Sequence, residues 1–316
     1  MEHEGDPLSP PLPRRATICV TTYKRPVGLA RLLTAIGALE IPDGWDFDVV
    51  VVDNDPEGSA RPVVEATPNL AVRHVAEPDR GIPRVRNRAL RESAPVPFVA
   101  FLDDDEWPEP TWWRRLVEVQ SESGADVVIG PSIPVFETDP PAWIVEGRFF
   151  ERERFATGTK IPSWLARTSG VLIRRAAFEH LGDRPFDERH PLAGGEDVRF
   201  FKALERDGAS IVWVDDAVVR EFVPTTRANA KWLLRRSFRT GNSRSLNLLL
   251  ENAGVAQRAK RAARGIIDIG LGLVRCIRAR GKAERMTAVA HCALGVGLVA
   301  GALGLRYDEY VVIHGR

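Results

Sequence analysis

Apolar and polar positions follow one another in blocks along the first 131 residues. ATICVTT (16–22) is a short, apolar, β-branched run and reads as a strand. Behind Arg25-Pro26, the residues Leu29, Leu32, Leu33, Ile36 and Leu39 recur at helical spacing. Proline suits that helix start, where its missing N–H would have no partner anyway. DVVVVDND (48–55) is apolar without alternation, as expected of a strand covered on both faces. AVRHV (71–75), PFVAFLDDD (97–105) and ADVVIGP (125–131) read as further strands, and RVRNRALRES (84–93) and TWWRRLVEVQSE (111–122) as helices. This rhythm predicts an α/β chain: a Rossmann-type, mostly parallel sheet with helices on both faces. Beyond it, 132–170 reads as irregular, GVLIRRAAFEHLG (170–182) as a strand running into a helix, GGEDVRFFKALERDG (194–208) as a loop opening a helix, and ASIVWVDDAVVREFVP (209–224) as strand-like. From Arg227 onward the pattern is helical. The expected organisation is a flexible Pro-rich tail over 1–15, without the apolar stretch of a signal peptide, a catalytic unit over 16–226 and a helical extension over 227–316.

In doubly wound sheets, ligands bind beyond the carboxyl ends of the strands. Here those ends are polar: Thr21-Thr22-Tyr23, Asp53-Asn54-Asp55 and Asp103-Asp104-Asp105. Asp103 and Asp105 have the D-x-D spacing of hard oxygen donors suited to Mg2+ or Mn2+. A solvated acidic turn is the plainer explanation, but the position at the exit of the buried FVAFL run favours metal. Gly194-Gly195-Glu196-Asp197 opens a helix. Its carboxylates can be simple caps, or Asp197 can be a general base with Glu196 orienting the acceptor. Tyr23 can stack on a nucleobase and Asp53 or Asn54 can bond its edge, although Asp-Asn after a strand is also a common turn. Arg80-Gly81-Ile82-Pro83-Arg84-Val85-Arg86-Asn87-Arg88 offers an arginine to a diphosphate.

Charge changes the picture. Residues 1–226 carry 27 basic and 38 acidic side chains, whereas 227–285 carry 15 and 3. An acidic body disfavours nucleic acid as a partner. The three cysteines, Cys19, Cys276 and Cys292, are widely spaced and form no CxxC, so neither a disulfide framework nor structural zinc is expected.

VTTYKRP, VVVDND, RGIPRVRNRAL, FLDDDEWPEP and GGEDVRFF, in that order over about 16–245, resemble the family 2 glycosyltransferases of GT-A fold, in particular the non-processive bacterial enzymes of exopolysaccharide assembly, including the succinoglycan type. The resemblance implies an inverting transfer from a nucleoside-diphosphate sugar. It implies nucleoside contacts at Thr21, Tyr23, Asp53 and Asn54, with Arg25 and Asp104 also at the donor. It further implies Arg86 near the diphosphate, Mg2+ or Mn2+ on Asp103 and Asp105, and Asp197 as base. Two departures stand out. The Q-x-x-R-W motif of processive synthases is missing, with Arg235-Arg236-Ser237-Phe238-Arg239-Thr240-Gly241-Asn242-Ser243 in a comparable place. Glu221 stands where many relatives have a histidine. A sugar nucleotidyltransferase is the rival enzyme, disfavoured because TTYKRP replaces a Gly-rich loop. A non-catalytic nucleotide-sugar-binding scaffold is the rival without chemistry.

The extension carries Arg258, Lys260, Arg261, Arg264, Arg275, Arg278, Arg280, Lys282 and Arg285 around the apolar GIIDIGLGLV (265–274). MTAVAHCALGVGLVAGALGL (286–305) has no Lys, Arg, Asp or Glu. Twenty helical residues reach about 30 Å, one bilayer core. A spanning helix, a soluble lid and helices lying in the membrane interface compete. Basic residues beside apolar ones favour the interface, at the cytoplasmic face, which suits a polyprenyl-linked saccharide acceptor.

Overall fold

The structure, a computed structural model, describes residues 14–93, 95–189, 194–250 and 253–307. Residues 1–13 of the expected tail lie outside these, and Arg14 and Arg15 belong to the first strand. The chain builds β1 (Arg14–Thr22), α1 (Pro26–Ile36), β2 (Trp45–Asp53), α2 (Arg61–Glu65), β3 (Val72–Ala76), α3 (Ile82–Glu92), β4 (Phe98–Asp103), β5 (Glu106–Pro108) and α4 (Trp112–Ser123). It continues with β6 (Val127–Ile129), β7 (Ser132–Phe136), α5 (Ala142–Glu146), β8 (Val171–Arg174), α6 (Glu196–Arg206), β9 (Ile211–Trp213), β10 (Val219–Val223), α7 (Ala230–Leu250), α8 (Val255–Arg278) and α9 (Lys282–Ala302).

The main sheet has seven strands in the order β3-β2-β1-β4-β8-β6-β9, parallel except for β8, which runs against both β4 and β6. Both faces are apolar, and each strand splits its residues between them. Ile18 and Val20 of β1 pack with Leu29, Leu32 and Leu33 of α1 and Trp113 of α4, whereas Cys19 faces Val85 and Ala89 of α3 and Phe200 of α6. This is why the strands read as continuous apolar runs. Register then assembles the site: Thr22 lies opposite Asp53, and Thr21 opposite Asp103.

Three expectations need correction. GVLIRRAAFEHLG forms β8, but the chain then makes two 3-10 turns, Arg175–Ala177 and Glu179–Leu181, instead of an α-helix. The strand-like run 209–224 is two strands in different sheets: β9 closes the main sheet, and β10 lies between β5 and β7 in a second, three-stranded one. The stretch 132–170 is not wholly irregular, because it contains β7 and α5.

Helices α7, α8 and α9 form the C-terminal extension. A stack of aromatic side chains ties it to the body: Trp232 of α7 lies parallel to Phe150, with ring centroids 5.5 Å apart. Helix α9 packs along both α7 and α8 by way of glycines. A Cβ on Gly241 of α7 would overlap the Leu294 carbonyl, and one on Gly297 of α9 would overlap that of Phe238. Such close approach is possible only where a side chain is missing. Helix α9 is long and apolar enough to cross a membrane, with a third of its most apolar window buried against its neighbours.

Candidate active site

A single cleft of about 950 Å3 opens over the carboxyl ends of β1 and β4 and is closed on the far side by α6 and α7. Thr21, Tyr23, Arg25, Asn54, Arg86, Asp103, Asp104, Asp105, Glu196 and Asp197, all read from the sequence as site residues, line it together.

Asp53 does not. Its carboxylate is wholly buried, accepting the backbone N–H groups of Asp55 at 2.9 Å and Ala60 at 2.8 Å, with His74 Nε2 3.5 Å away. These bonds shape the turn after β2 and leave no face for a nucleobase. Asn54 reaches the cleft with its amide already engaged. It donates to the carbonyls of Glu77 and Asp79 at 2.8 and 2.9 Å and accepts from Gly81 N–H at 2.9 Å. It therefore holds the 77–81 loop in place, and that loop brings Arg80 over the Tyr23 ring at 4.3 Å. Pattern reading missed Arg80 in this role.

The three adjacent aspartates have different surroundings. Asp104 points inward: Thr22 Oγ1 (2.9 Å), the Tyr23 N–H (3.1 Å) and Arg25 (2.7 Å) all donate to it. It braces the β1–α1 connection. Asp103 accepts from Thr21 Oγ1 at 3.3 Å and lies 3.8 Å from Arg86. Desolvation on the cleft floor, with Asp105 and Asp104 beside it and Arg86 opposing, pushes its carboxyl up to about 7. Asp105 is gripped by Arg25 at 3.2 Å and Arg227 at 3.0 Å; desolvation works against them, but the two guanidinium groups hold its carboxyl below the usual range.

Two left-handed glycines, Gly194 (φ 74°) and Gly195 (φ 85°), turn the chain into α6 and set its first two side chains against the cleft. Glu196 is buried and ion-paired with Arg86, which is equally buried. Burial raises the Glu196 carboxyl, with Asp197 adding to the rise and Arg86 resisting it. Arg86 thus spans Asp103 and Glu196, joining the two acidic motifs from opposite sides of the cleft. Asp197, partly exposed, faces the lumen.

Opposite the aspartates stands a wall of arginines, of which only Arg236 lies in a stretch the pattern set apart. Arg167 is buried; its Nη2 donates to the Gly130 carbonyl at 3.0 Å and its Nε has no hydrogen-bond partner among the described residues. Burial and the nearby Arg152 bring it down to about 9, against Glu106, Glu221 and Asp197. Arg236 lies over the Phe150 and Trp232 rings, brought down to about 10 by burial and Arg152 despite Glu221. A guanidinium keeps its proton near neutral pH, so these shifts express positive charge taken out of water, with Arg152 adding to it, a setting that attracts an anion. Glu221 pairs with Arg152 at 3.4 Å and sits across the ladder from buried Glu106, which burial and the charges of Asp103, Glu221 and Asp105 raise well above the carboxylate range.

The residues can accommodate a divalent cation. Asp103 and Asp105 offer hard oxygen donors, and among the described residues no group of three or more His, Cys, Asp or Glu forms a closed cage. A site with two protein carboxylates, completed by phosphate oxygens and water, is the arrangement Mg2+ favours. Desolvation, with the Asp105 and Asp104 charges added, raises the Asp103 carboxyl against Arg86, and a cation held there would oppose that rise.

Sequence and fold comparisons bear on the family and the fold. Residues 17–182 match the profile of Glycosyl transferase family 2. The chain belongs to that family and is a glycosyltransferase. It is 33% identical over 302 residues to the succinoglycan biosynthesis protein ExoM of Rhizobium meliloti (strain 1021), covering 92% of this chain and 94% of that one. Glycosyltransferase AglE of Haloferax volcanii is 24% identical over 207 residues, 64% of this chain and 65% of its own. In three dimensions the chain resembles S. aureus TarS 1-349 solved with UDP, with a TM-score of 0.53, 17% identity and 92% of each chain covered. The form solved with UDP-GlcNAc superposes at 0.50, with 18% identity, over 72% of this chain and 67% of that one. The expected GT-A fold is therefore met.

Proposed function

We propose that the chain transfers a sugar, with inversion, from a nucleoside-diphosphate donor to a polyprenyl-linked saccharide at the cytoplasmic face of a bacterial membrane, in exopolysaccharide assembly. The reading rests on one observation: Asp103, Asp105 and Asp197 line a single cleft, linked through the Arg86–Glu196 pair.

In this reading, Tyr23 and Arg80 flank the nucleoside, and Asp103 with Asp105 holds Mg2+ or Mn2+. Bound there, the cation supplies Lewis-acid neutralisation of the diphosphate. Arg227, with Arg236 behind it, faces the negative charge that builds on the leaving group. Asp197 accepts the proton of the acceptor hydroxyl as that oxygen bonds to the anomeric carbon. The bond from that carbon to the diphosphate oxygen breaks on the opposite side, so one displacement inverts the centre without a covalent enzyme intermediate. Glu196, fixed by Arg86, orients the acceptor. Trp164, 64% exposed at the cleft mouth while Trp112, Trp113 and Trp213 are buried, is the platform for the acceptor sugar.

Membrane association is assigned to α8. Its Gly265 and Gly272 face the bundle, and its large aliphatic side chains Ile266, Ile267, Leu273, Val274 and Ile277 face out, Ile277 being 86% exposed. Lys260, Arg264, Arg275 and Arg278 flank that face, the pattern of a helix lying in an anionic interface. This supports the in-plane reading over a spanning one, because α9 spends its small-residue faces on α7 and α8.

A thermal-shift screen of nucleoside-diphosphate sugars with and without Mn2+ tests the donor assignment, and the released product tests the reaction. Nucleoside diphosphate is expected; pyrophosphate would indicate nucleotidyl transfer instead. Asp105→Ala and Asp197→Ala should each abolish transfer, the former also removing the Mn2+-dependent part of the donor shift. Full turnover by either variant would defeat the assigned roles.

A further inference from the structure

The cleft continues past Asp197 to a second basic region, distinct from the arginine wall behind the aspartates. Arg244 of α7 and Arg261 of α8 line this far end. They lie close enough that burial and the Arg261 charge together hold Arg244 below its ordinary value, with Asp268 opposing. Asp268 is already shared, 3.1 Å from Arg264 and 3.3 Å from His291. Among the described residues, no carboxylate forms a hydrogen bond or close ion pair with either Arg244 or Arg261. Arg244 is exposed and Arg261 half-buried, and neighbouring like charges repel unless an anion joins them. Opposite them, Arg199 of α6 is held rigid by Asn247 of α7, to which it donates at 2.5 Å, and by Asp187 at 3.5 Å.

The second observation is where this pair lies on α8. Arg261 occupies the side turned to the cleft, while Ile266, Ile267, Leu273, Val274 and Ile277 occupy the side turned away. The two sides of a helix are about 10 Å apart with side chains included. An oxyanion held at the Arg244–Arg261 pair therefore sits one helix thickness from the face assigned to the membrane.

We infer that Arg244 and Arg261 bind the diphosphate of a prenyl-diphosphate-linked acceptor, separately from the donor's diphosphate at the aspartate end. This rests on the lipid-linked acceptor proposed above, and names the group by which it is recognised. Paired guanidiniums suit a diphosphate because each can engage its oxygens in charge-assisted bonds.

Calorimetric titration of the full chain with farnesyl diphosphate, a soluble probe, tests the inference. The probe should bind, and R244Q/R261Q should weaken it by about tenfold or more, whereas R244K/R261K and Asp105→Ala should stay within about threefold of the parent. Farnesol should not distinguish the parent from R244Q/R261Q. Thermal melting should show both double variants folded, and the shift given by UDP or another donor nucleotide should survive in each. Equal farnesyl diphosphate affinity in the parent and R244Q/R261Q would overturn the inference. So would loss of binding in Asp105→Ala alone, which would put the probe at the donor end. Inorganic pyrophosphate binding as tightly as farnesyl diphosphate would overturn the prenyl assignment. If no donor yields nucleoside diphosphate while Arg244 and Arg261 still govern probe binding, the glycosyl-transfer reading fails and the subsite stands.

Discussion

Removing the guanidinium of Arg86 tests how the two acidic motifs are held together. Arg86 is 6% exposed and Glu196 5%, and the two are directly ion-paired. Arg86→Gln leaves a buried carboxylate without its countercharge. Breaking a buried pair from one side costs about 3–5 kcal/mol. Because Glu196 borders the cleft, the lower end applies, about 3 kcal/mol. For a domain of this size that lowers Tm by about 6–12 °C. The loss has a pH signature. Burial already raises the Glu196 carboxyl and Arg86 resists the rise. In Arg86→Gln the folded value climbs further above the unfolded one. A raised carboxyl stabilises the fold below its unfolded value, and that contribution disappears as pH rises through the folded value. The deficit should therefore be larger at pH 8 than at pH 5. Glu196→Gln in the same chain should recover much of the loss and reduce its pH dependence, what remains coming from Asp103, which Arg86 also opposes. Denaturant melts of the parent, both single variants and the double variant give the coupling directly. A cost below about 1 kcal/mol for Arg86→Gln, or a double variant no better than the sum of the singles, would refute the reasoning.

Other consequences can be measured separately. Asp53→Asn should cost about 1–3 kcal/mol in denaturant melts, by weakening the acceptors for Asp55 and Ala60 N–H, yet leave donor-nucleotide Kd within about threefold in calorimetry; a larger affinity loss would return Asp53 to the nucleoside site. Gly297→Val pushes a side chain into the Phe238 carbonyl and should destabilise by about 1–3 kcal/mol, seen as a lower Tm. Ile267→Asp with Ile277→Asp should cut sedimentation with anionic phosphatidylglycerol vesicles by about tenfold or more and leave Tm unchanged, since both side chains are exposed. Trp164→Ala should raise the acceptor KM while sparing donor hydrolysis, and an unchanged KM would remove it from the acceptor side.

The sheet was legible because its signal is local. VVVV in β2 and FVAFL in β4 are covered on both faces, and such runs read as strands without knowledge of what covers them. The polar residues ending each run lie at one sheet edge by topology alone, which is why Thr21, Asp103 and Asp105 fell together. The misread elements depended on distant partners. Run 209–224 looks uniformly strand-like, but β9 is claimed by β6 and β10 by β5 and β7. No local pattern announces a change of sheet between neighbouring strands.

At the site, residue types were more legible than roles. Asp53, Asn54 and Asp104 are acidic or amide groups at strand ends, so a sequence reading naturally offers them to ligand. Yet a strand end also needs acceptors for its own unpaired N–H groups, and those three side chains are spent on the connections after β1, β2 and β3. Arg227 and Arg167 went unnoticed, and Arg236 was noted only within the stretch that replaces Q-x-x-R-W, for the opposite reason. Each lies far along the chain from the carboxylates it serves, Arg227 and Asp105 being 122 residues apart. Charge counting located the positive charge of 227–285 but not its division. One part faces the aspartates from α7, another lines the far end of the cleft, and the rest borders the aliphatic face of α8. That division follows from the glycine seam. Because Gly265 and Gly272 of α8 meet α9 at close range, with Ile269 against Gly295, Ile266, Ile267 and Leu271 are left to the outward side.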